Sequence, residues 1–261
     1  MIFCSLYSGS SGNSIFVSSD NAKVLVDAGL PGKSVENALQ EIGENPREID
    51  GIFITHEHSD HVKGVGVLSR KYDIPIYANQ GTWNGMAKII GNIKEHNVKV
   101  TDSEDICIKD MQISNFKIPH DAAAPTGYAL RSAGKKICIA TDLGCFTDEV
   151  KTNIRDADVI LLESNHDVEM LKFGPYPYVL KRRVLSDVGH LSNEACGKAI
   201  VEIMTDKPKR VILGHLSKTN NYPELAYQTV VNILNENKIN LGKDIILSLA
   251  DRHKPSSYIK L

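Results

Sequence analysis

The sequence predicts an α/β fold of the αββα type, a sandwich of two mixed β-sheets flanked by helices. The order of the predicted strands and helices is the evidence for this fold. Groups of short strands alternate with single amphipathic helices along the 261 residues, and this order is typical of two packed sheets with helices on their outer faces. No repeat, low-complexity tract or Pro/Ser-rich linker interrupts the chain, so we expect residues 1–261 to form a single domain.

The first third of the chain predicts strands joined by tight turns, followed by one helix. The β-prone runs, which are separated by Gly- and Ser-rich or Asp-Asn turns, are residues 2–7, 14–18 and 23–27. The apolar residues between Val35 and Ile42 recur at helical spacing, with Ser34 as N-cap and Gly43 just past the last turn.

The rest of the chain continues this alternation. Strands are predicted at residues 51–55, 75–78, 105–108, 111–119, 127–131, 136–141, 159–163, 210–214, 245–249 and 257–261. One helix is expected after His61, and another covers residues 225–237. A further helix has an apolar face from Ala195 to Met204, with Ser192 or Asn193 as its cap. This layout leaves the loops at the sheet edges free to build one site.

Composition and charge predict a globular, cytoplasmic protein. The formal net charge is −2, so a nucleic-acid partner would need a local basic surface. The residues after Met1 include no basic region or cleavage site, and no apolar stretch approaches about eighteen residues, so neither a signal peptide nor a membrane span is expected. The five cysteines include no Cys-x-x-Cys pair, which favours reduced thiols over disulfides or a thiolate zinc site.

Four strong metal ligands follow the predicted strand 51–55 within six residues: His56, His58, Asp60 and His61. Side chains alternate along an extended loop, so His56 and His58 point the same way. Asp60 and His61 start the next helix and can turn toward a second ion. Imidazole and carboxylate without thiolate suit Zn²⁺, Mn²⁺ or Fe. The alternative is a solvated turn rich in histidine.

Three further candidate ligands each stand directly after an apolar run, namely His120, Asp142 and His215. A ligand at the end of a strand is held rigidly and faces a cleft. Taken alone, each is more typical of an ordinary turn residue. Together with the histidine cluster, they predict one metal centre.

The ordered set formed by Asp27, residues 56–61, His120, Asp142 and His215 resembles the five motifs of the metallo-β-lactamase superfamily. The resemblance implies two divalent metal ions, Zn²⁺ or Mn²⁺. One ion would be held by His56, His58 and His120. The other would be held by Asp60, His61 and His215, with Asp142 bridging both. Asp27 would hydrogen-bond a ligand and fix its orientation.

Two such ions lower the pKa of a bridging water, which predicts a hydroxide nucleophile at neutral pH. A leaving alkoxide then needs a proton. Asp60 and His190 are the predicted catalytic residues, with His190 as the acid because it precedes a helix N-terminus, where an anion is favoured. A histidine that merely caps its helix is the alternative. The run 189–192, followed by a helix and His215, resembles ribonuclease Z, in which the first histidine assists phosphodiester cleavage.

A tighter resemblance, nearly end to end, is to the bacterial YycJ/WalJ (VicX-like) family. Residues 9–14, 56–64, 163–167 and 189–193 carry it. It implies a nuclease, described in that family as a 5′→3′ exonuclease, whose substrate is DNA rather than RNA. A β-lactamase or a glyoxalase II would share the metal ligands but would leave His190 unexplained.

Candidate substrate contacts are less specific. Ser10, Ser11 and Asn13 would donate hydrogen bonds to a phosphate or simply form a tight turn, and His166 is a substrate contact or an ordinary strand-end histidine. A basic and aromatic run contains Lys172, Phe173, Tyr176, Tyr178, Lys181, Arg182 and Arg183. Its cations would follow phosphates while its rings stack on bases. The alternative is a Pro-kinked loop with its tyrosines in the core.

The leading hypothesis is therefore a metal-dependent nuclease. A hydrolase of small cyclic or nucleotide-like phosphodiesters stays open, because weak net charge is no obstacle to it. A non-catalytic metal-binding regulatory module is a third hypothesis, which the complete ligand set argues against. The sequence does not predict the oligomeric state or the physiological metal.

Overall fold

The computed structural model describes residues 1–101 and 105–261 and contains two seven-stranded sheets. The strands of the first sheet are β1 Ile2–Tyr7, β2 Ser14–Ser18, β3 Lys23–Val26, β4 Gly51–Phe53, β5 Ile76–Ala78, β6 Val98–Val100 and β14 Ser256–Lys260. Their order is β14-β1-β2-β3-β4-β5-β6. The pairs from β14 to β3 are antiparallel, and those from β3 to β6 are parallel.

The second sheet repeats this division into an antiparallel and a parallel half. Its strands are β7 Ile106–Ile108, β8 Met111–Lys117, β9 Thr126–Ser132, β10 Lys135–Ala140, β11 Val159–Glu163, β12 Lys209–Gly214 and β13 Ile245–Leu249. They lie in the order β13-β12-β11-β10-β9-β8-β7. Strands β10 to β13 pair in parallel. The carboxyl ends of parallel strands meet at one edge of a sheet, so the loops that follow them are collected there.

Helices follow most of the parallel strands. They are α1 Gly32–Glu41, α2 Ser59–Val62, α3 Val65–Tyr72, α4 Gln80–Ile90, α5 Asp148–Ile154, α6 Val168–Phe173, α7 Tyr178–Val184, α8 Asn193–Ile203 and α9 Pro223–Glu236. Among the described residues, no helix combines the length and the apolar character needed to cross a membrane.

The core has three layers, which follow from the alternation of side chains along each strand. In β3, Val24 and Val26 belong to the cluster between the two sheets, which also contains Phe53 and Tyr128. Leu25 points the other way, into the cluster beneath the helices of the first sheet. A third cluster lies between the second sheet and helices α5, α8 and α9. The predicted αββα sandwich is confirmed.

The predicted strands are all present, with ends that differ by no more than two residues. The prediction of Ser34 as N-cap is wrong, because α1 already begins at Gly32 with Pro31 before it. Ser192 does cap α8, since its hydroxyl accepts from the Ala195 amide at 3.2 Å. Helices α4 to α7 and strand β6 were not predicted. All five cysteines are free, and three of them are buried.

Candidate metal centre

Strand ends deliver the candidate ligands to one place. Residues 56–61 follow β4 and its two-residue extension, and His58 stands directly before α2. His120 follows β8, while Asp142 and His215 come after β10 and β12. The ligands on the first sheet therefore face those on the second across the edge of the sandwich.

The first group of donors consists of three histidines. His56 Nε2 lies 3.0 Å from His58 Nδ1, and His120 Nε2 lies 3.3 Å from the same His58 atom. These three nitrogens come within 4.8 Å of one another. His56 and His120 are buried and His58 is half-buried, so the group is open to solvent on the His58 side only.

The second group centres on Asp142, whose carboxylate reaches donors on both sides. Asp142 Oδ2 lies 3.3 Å from His61 Nε2 and 3.3 Å from His215 Nδ1. Its Oδ1 lies 3.8 Å from His120 Nε2 in the first group. Asp60 Oδ2 stands 3.6 Å from His61 Nε2. Asp142 is therefore the one carboxylate of the described centre that touches donors of both groups.

The residues fit divalent cations. Asp142 Oδ2 and His215 Nδ1 are buried and form no hydrogen bond within the described part of the chain, although buried polar atoms are normally paired. Nitrogen and oxygen donors without thiolate suit Zn²⁺ and Mn²⁺. Buried carboxylate and imidazole atoms that converge at 3.3 Å without a hydrogen bond between them are the arrangement expected of a metal site.

The backbone of this centre is locally strained. Asp27, Asp142 and His215 have φ of 60°, 62° and 52°, a left-handed conformation that residues other than glycine rarely adopt. Gly29 permits the close approach of the loop after β3 to the histidine cluster, because a Cβ at this position would lie 1.6 Å from the Asp60 carbonyl oxygen. No sequence pattern predicts these conformations.

Groups behind the ligands fix their orientation. Asp27 Oδ2 accepts from His61 Nδ1 at 2.7 Å and from the Thr55 hydroxyl at 2.8 Å. His120 Nδ1 contacts the Gly189 carbonyl oxygen at 3.1 Å, which leaves Nε2 toward the centre. Such contacts select the tautomer of a ligating histidine. Asp27 has the position expected from the sequence, whereas the part played by Thr55 was not predicted.

The close packing of carboxylates and imidazoles shifts the pKa values of His61 and Asp142. Burial opposes a charge on His61, but the carboxylates of Asp142 and Asp27 outweigh it and hold the pKa of His61 well above its ordinary value. Burial works against the charge on Asp142 too, yet His215 and His61 keep the pKa of this carboxyl well below its usual range. The centre thus favours an ionised carboxylate among its histidines.

His190 pairs with Glu163 at the edge of the second group, where its Nδ1 lies 3.8 Å from Asp142 Oδ1. Its Nδ1 lies 2.8 Å from Glu163 Oε1, and Glu163 Oε2 accepts from the backbone amides of Leu143 and Leu191 at 2.6 and 3.3 Å. Glu163 is completely buried. Burial opposes the charged imidazole, but Glu163 raises the pKa of His190 to about 9. From the sequence, Glu163 ends a predicted strand and begins the run 163–167 that carries the family resemblance, but its contact with His190 is a tertiary one.

A cavity of about 400 Å³ opens beside both donor groups and His190. His58, Asp60, Asp142, His190 and His215 contribute to its wall. The other lining residues are Ser10, Ser59, Asn165, Tyr176, Leu180, Arg183, Val184, Ser217 and Asn220. The cavity therefore brings His190 and four of the candidate ligands to one solvent-accessible space, with Glu163 buried behind His190.

The candidate substrate contacts are distributed unevenly around this cavity. Ser10 lines it, whereas Lys181 and Arg182 lie outside its wall. Lys181 Nζ instead donates to the Lys172 carbonyl oxygen at 2.7 Å. Arg183, which the sequence analysis named only as part of the basic run, does line the cavity, and its Nε pairs with Asp121.

Three more candidate substrate contacts, Ser11, Asn13 and His166, do not line the cavity. Ser11 is exposed, with its hydroxyl 3.4 Å from Arg252 Nη1. Asn13 is buried: its Oδ1 accepts from the Gly9 amide at 3.0 Å, and its Nδ2 lies 3.1 Å from His61 Nε2, so it contacts both the turn and a candidate ligand. His166 is also buried, and burial lowers its pKa to about 4. Neither Asn13 nor His166 is accessible to a substrate.

The basic and aromatic run forms α6 and α7 beside the cavity rather than a loop. Tyr178 is 74% exposed and Tyr176 is half-buried, so neither tyrosine lies in the core as the alternative required; Phe173 is 83% exposed. The Arg182 guanidinium lies 6.0 Å from the centre of the Tyr178 ring. Exposed rings with adjacent cations are available to a partner.

The chain is similar to proteins of a known family, both in sequence and in fold. The beta-lactamase superfamily domain matches residues 22–216. The chain is 43% identical over 255 residues to the exodeoxyribonuclease YycJ of Bacillus anthracis, covering 97% of both chains. It is 43% identical over 242 residues to the exodeoxyribonuclease WalJ of Streptococcus pneumoniae, covering 92% of this chain and 90% of that one. The metallo-beta-lactamase fold protein YhfI from Bacillus subtilis has a TM-score of 0.72 over 98% of both chains at 12% identity, a likeness of fold alone.

Proposed function

Since the chain belongs to the beta-lactamase superfamily and, within it, to the YycJ/WalJ family, we propose that it is a metal-dependent nuclease, a 5′→3′ exonuclease acting on DNA. The observation that carries the proposal is the position of His190, which pairs with the buried Glu163 and lines the same cavity as four of the candidate metal ligands. A phosphodiesterase needs both a metal-assisted attack and a proton for the leaving oxygen.

Two divalent cations, Zn²⁺ or Mn²⁺, are the proposed cofactors. His56, His58 and His120 would hold one ion, and Asp60, His61 and His215 would hold the other. Asp142 would contact both, in keeping with its contacts to donors of each group. When bound, such ions lower the pKa of a water molecule so that it attacks phosphorus, and they offset the charge on the phosphate oxygens.

His190 supplies the proton. Its Nδ1 is held by Glu163, so the Nε2 proton is the one available to the leaving oxygen of the substrate. The buried Glu163 carboxylate stabilises the imidazolium and is itself fixed by two backbone amides. These contacts keep the acid protonated and oriented before the substrate arrives.

The substrate strand would leave the cavity along α6 and α7. Arg183 and Tyr176 line the cavity, and the exposed rings of Phe173 and Tyr178 continue this surface outward. Base stacking on an aromatic ring contributes about 1–3 kcal/mol per base and tolerates any sequence. A single-stranded end is the substrate that such a surface suits.

The proposed location is the cytoplasm, because the five free cysteines suit a reducing compartment.

The test is a nuclease assay on end-labelled single- and double-stranded DNA and RNA with a panel of divalent metals. We expect products shortened from the 5′ end of DNA in the presence of Mn²⁺ or Zn²⁺. His190→Ala should lower the turnover about 10²- to 10⁴-fold, with metal content unchanged. Intact DNA and RNA, together with hydrolysis of small cyclic phosphodiesters, would reject the nuclease and favour a small-molecule phosphodiesterase.

A further inference from the structure

Arg252 lies beside the metal centre and contacts two segments of the chain that border it. It lies in the loop between β13 and β14, where its Nη1 stands 3.4 Å from the hydroxyls of both Ser10 and Ser11. Its Nη2 donates to the carbonyl oxygen of Leu216, the residue after the candidate ligand His215. The guanidinium is thus held against the same β1–β2 turn that lines the metal cavity.

Among the described residues this guanidinium forms no direct ion pair: it contacts two hydroxyls and a carbonyl, and the neighbouring Asp251 acts on it only through space. It is half-buried, and burial lowers its pKa. Two other cations near the ends of the second sheet do have a carboxylate partner: Arg183 pairs with Asp121 and Lys136 with Asp156. A partly desolvated cation without an ion pair costs free energy of folding unless a bound anion neutralises it.

A second cavity, of about 550 Å³, has Arg252 in its wall. It shares Ser217 with the cavity at the metal centre. Lys218 and His253 line it on exposed positions, and Asp251 contributes one negative charge. The ring of Tyr222, which is 49% exposed, forms part of the same wall. A cation, adjacent hydroxyls and an open aromatic ring are the groups that bind a nucleotide.

We propose that Arg252, together with the hydroxyls of Ser10 and Ser11, binds a phosphate group of the substrate strand next to the phosphodiester that is cleaved. The planar guanidinium suits phosphate because it donates two parallel hydrogen bonds. The site rests on the proposed nuclease function and adds a subsite to it. The phosphate is either the monoester at the 5′ end or an internal phosphodiester of the backbone.

The test compares Arg252→Gln, which removes the charge, with Arg252→Lys, which keeps it. Lys254→Gln is the matched control because Lys254 is an exposed cation on the same loop. Each protein is assayed on a 5′-phosphorylated oligonucleotide, on the same oligonucleotide with a 5′-hydroxyl, and on bis(p-nitrophenyl) phosphate, which has no neighbouring phosphate. Binding of a 3′-fluorescein oligonucleotide is measured separately by anisotropy in EDTA, where no cleavage occurs.

For Arg252→Gln we expect KM on the oligonucleotide to rise about tenfold, as for the loss of a charge-assisted hydrogen bond. The Kd in EDTA should rise similarly, and the slope of log Kd against log salt should change by about 0.7, the value for one phosphate of a single strand. Turnover of bis(p-nitrophenyl) phosphate should stay within twofold. Arg252→Lys should recover part of the loss, and Lys254→Gln should behave as wild type.

The two substrates identify the phosphate. A defect confined to the 5′-phosphorylated oligonucleotide assigns the site to the terminal monoester, and an equal defect on both assigns it to the backbone. Equal KM and Kd for Arg252→Gln and wild type would overturn the proposal. So would a parallel loss on bis(p-nitrophenyl) phosphate with reduced metal content, because Arg252 would then support His215. If wild type binds the oligonucleotide without cutting it, the nuclease function fails while the binding comparison still tests the subsite.

Discussion

The two ends of strands β10, β11 and β12 make an informative comparison, because both carry buried charged groups. At the carboxyl ends lie Asp142, Glu163 and His215. At the amino ends lies the larger cavity, about 1000 Å³, whose wall includes the buried Lys136 and Lys209. Volume alone would assign the functional site to the wrong end of the sheet.

Hydrogen-bond satisfaction distinguishes the two ends. At the amino end, Lys136 pairs with Asp156, and Lys209 Nζ donates to the Arg155 carbonyl oxygen. At the carboxyl end, Asp142 Oδ2 and His215 Nδ1 find no hydrogen-bond partner within the described residues. Charged groups that are hydrogen-bonded to the protein stabilise the fold, whereas buried ligand atoms that converge without a hydrogen bond indicate a bound ion.

The largest effect is expected at the carboxyl end. Asp142→Asn removes the carboxylate that contacts both donor groups and should lower hydrolysis of any phosphodiester by about 10³-fold or more. Metal content, measured by elemental analysis, should fall in parallel. Asp156→Asn, at the amino end of the same sheet, serves as control and should keep full activity and metal. Full activity of Asp142→Asn would contradict the assignment of the functional site to the carboxyl ends of these strands.

An intermediate effect is expected for Glu163→Gln, which keeps the shape of the side chain but not its charge. Since the carboxylate holds His190 charged and oriented, turnover on DNA should fall about 10²-fold. The loss should be much smaller on bis(p-nitrophenyl) phosphate, whose leaving group needs no proton. Metal content should not change. An equal loss on both substrates would mean that Glu163 only supports the fold.

The smallest effect is expected for the stability of Asp156→Asn. Burial raises the pKa of Asp156, but the hydrogen bond from Lys136 outweighs it and lowers that pKa below 3.8. The folded state therefore gains stability from this carboxylate above pH 3.8 and loses it as the pH falls through the folded pKa. Urea denaturation should give a free energy of unfolding lower by at most about 1 kcal/mol at pH 6. The difference should shrink at pH 3, and a difference that grows there would contradict this role of the pair.

Much of the candidate site could be predicted from the sequence because each ligand stands just after an apolar strand. His56, His58 and His61 are close in sequence, and the alternation of side chains along an extended segment orients them. Asp142 and His215 follow strands whose apolar character is plain. The alternation of strands and helices likewise predicted the αββα sandwich, because amphipathic elements must bury their apolar faces against one another.

What the sequence by itself determined was therefore the fold class and the identity of the candidate ligands, since both depend on local patterns. Only the tertiary structure decided which polar groups meet: the contact of Glu163 with His190, the burial of His166, and the position of Arg252 beside Ser10. Arg252 and Ser10 are far apart along the chain, and no local periodicity encodes such a contact. It arises because β14 pairs with β1 and brings the loops beside them together.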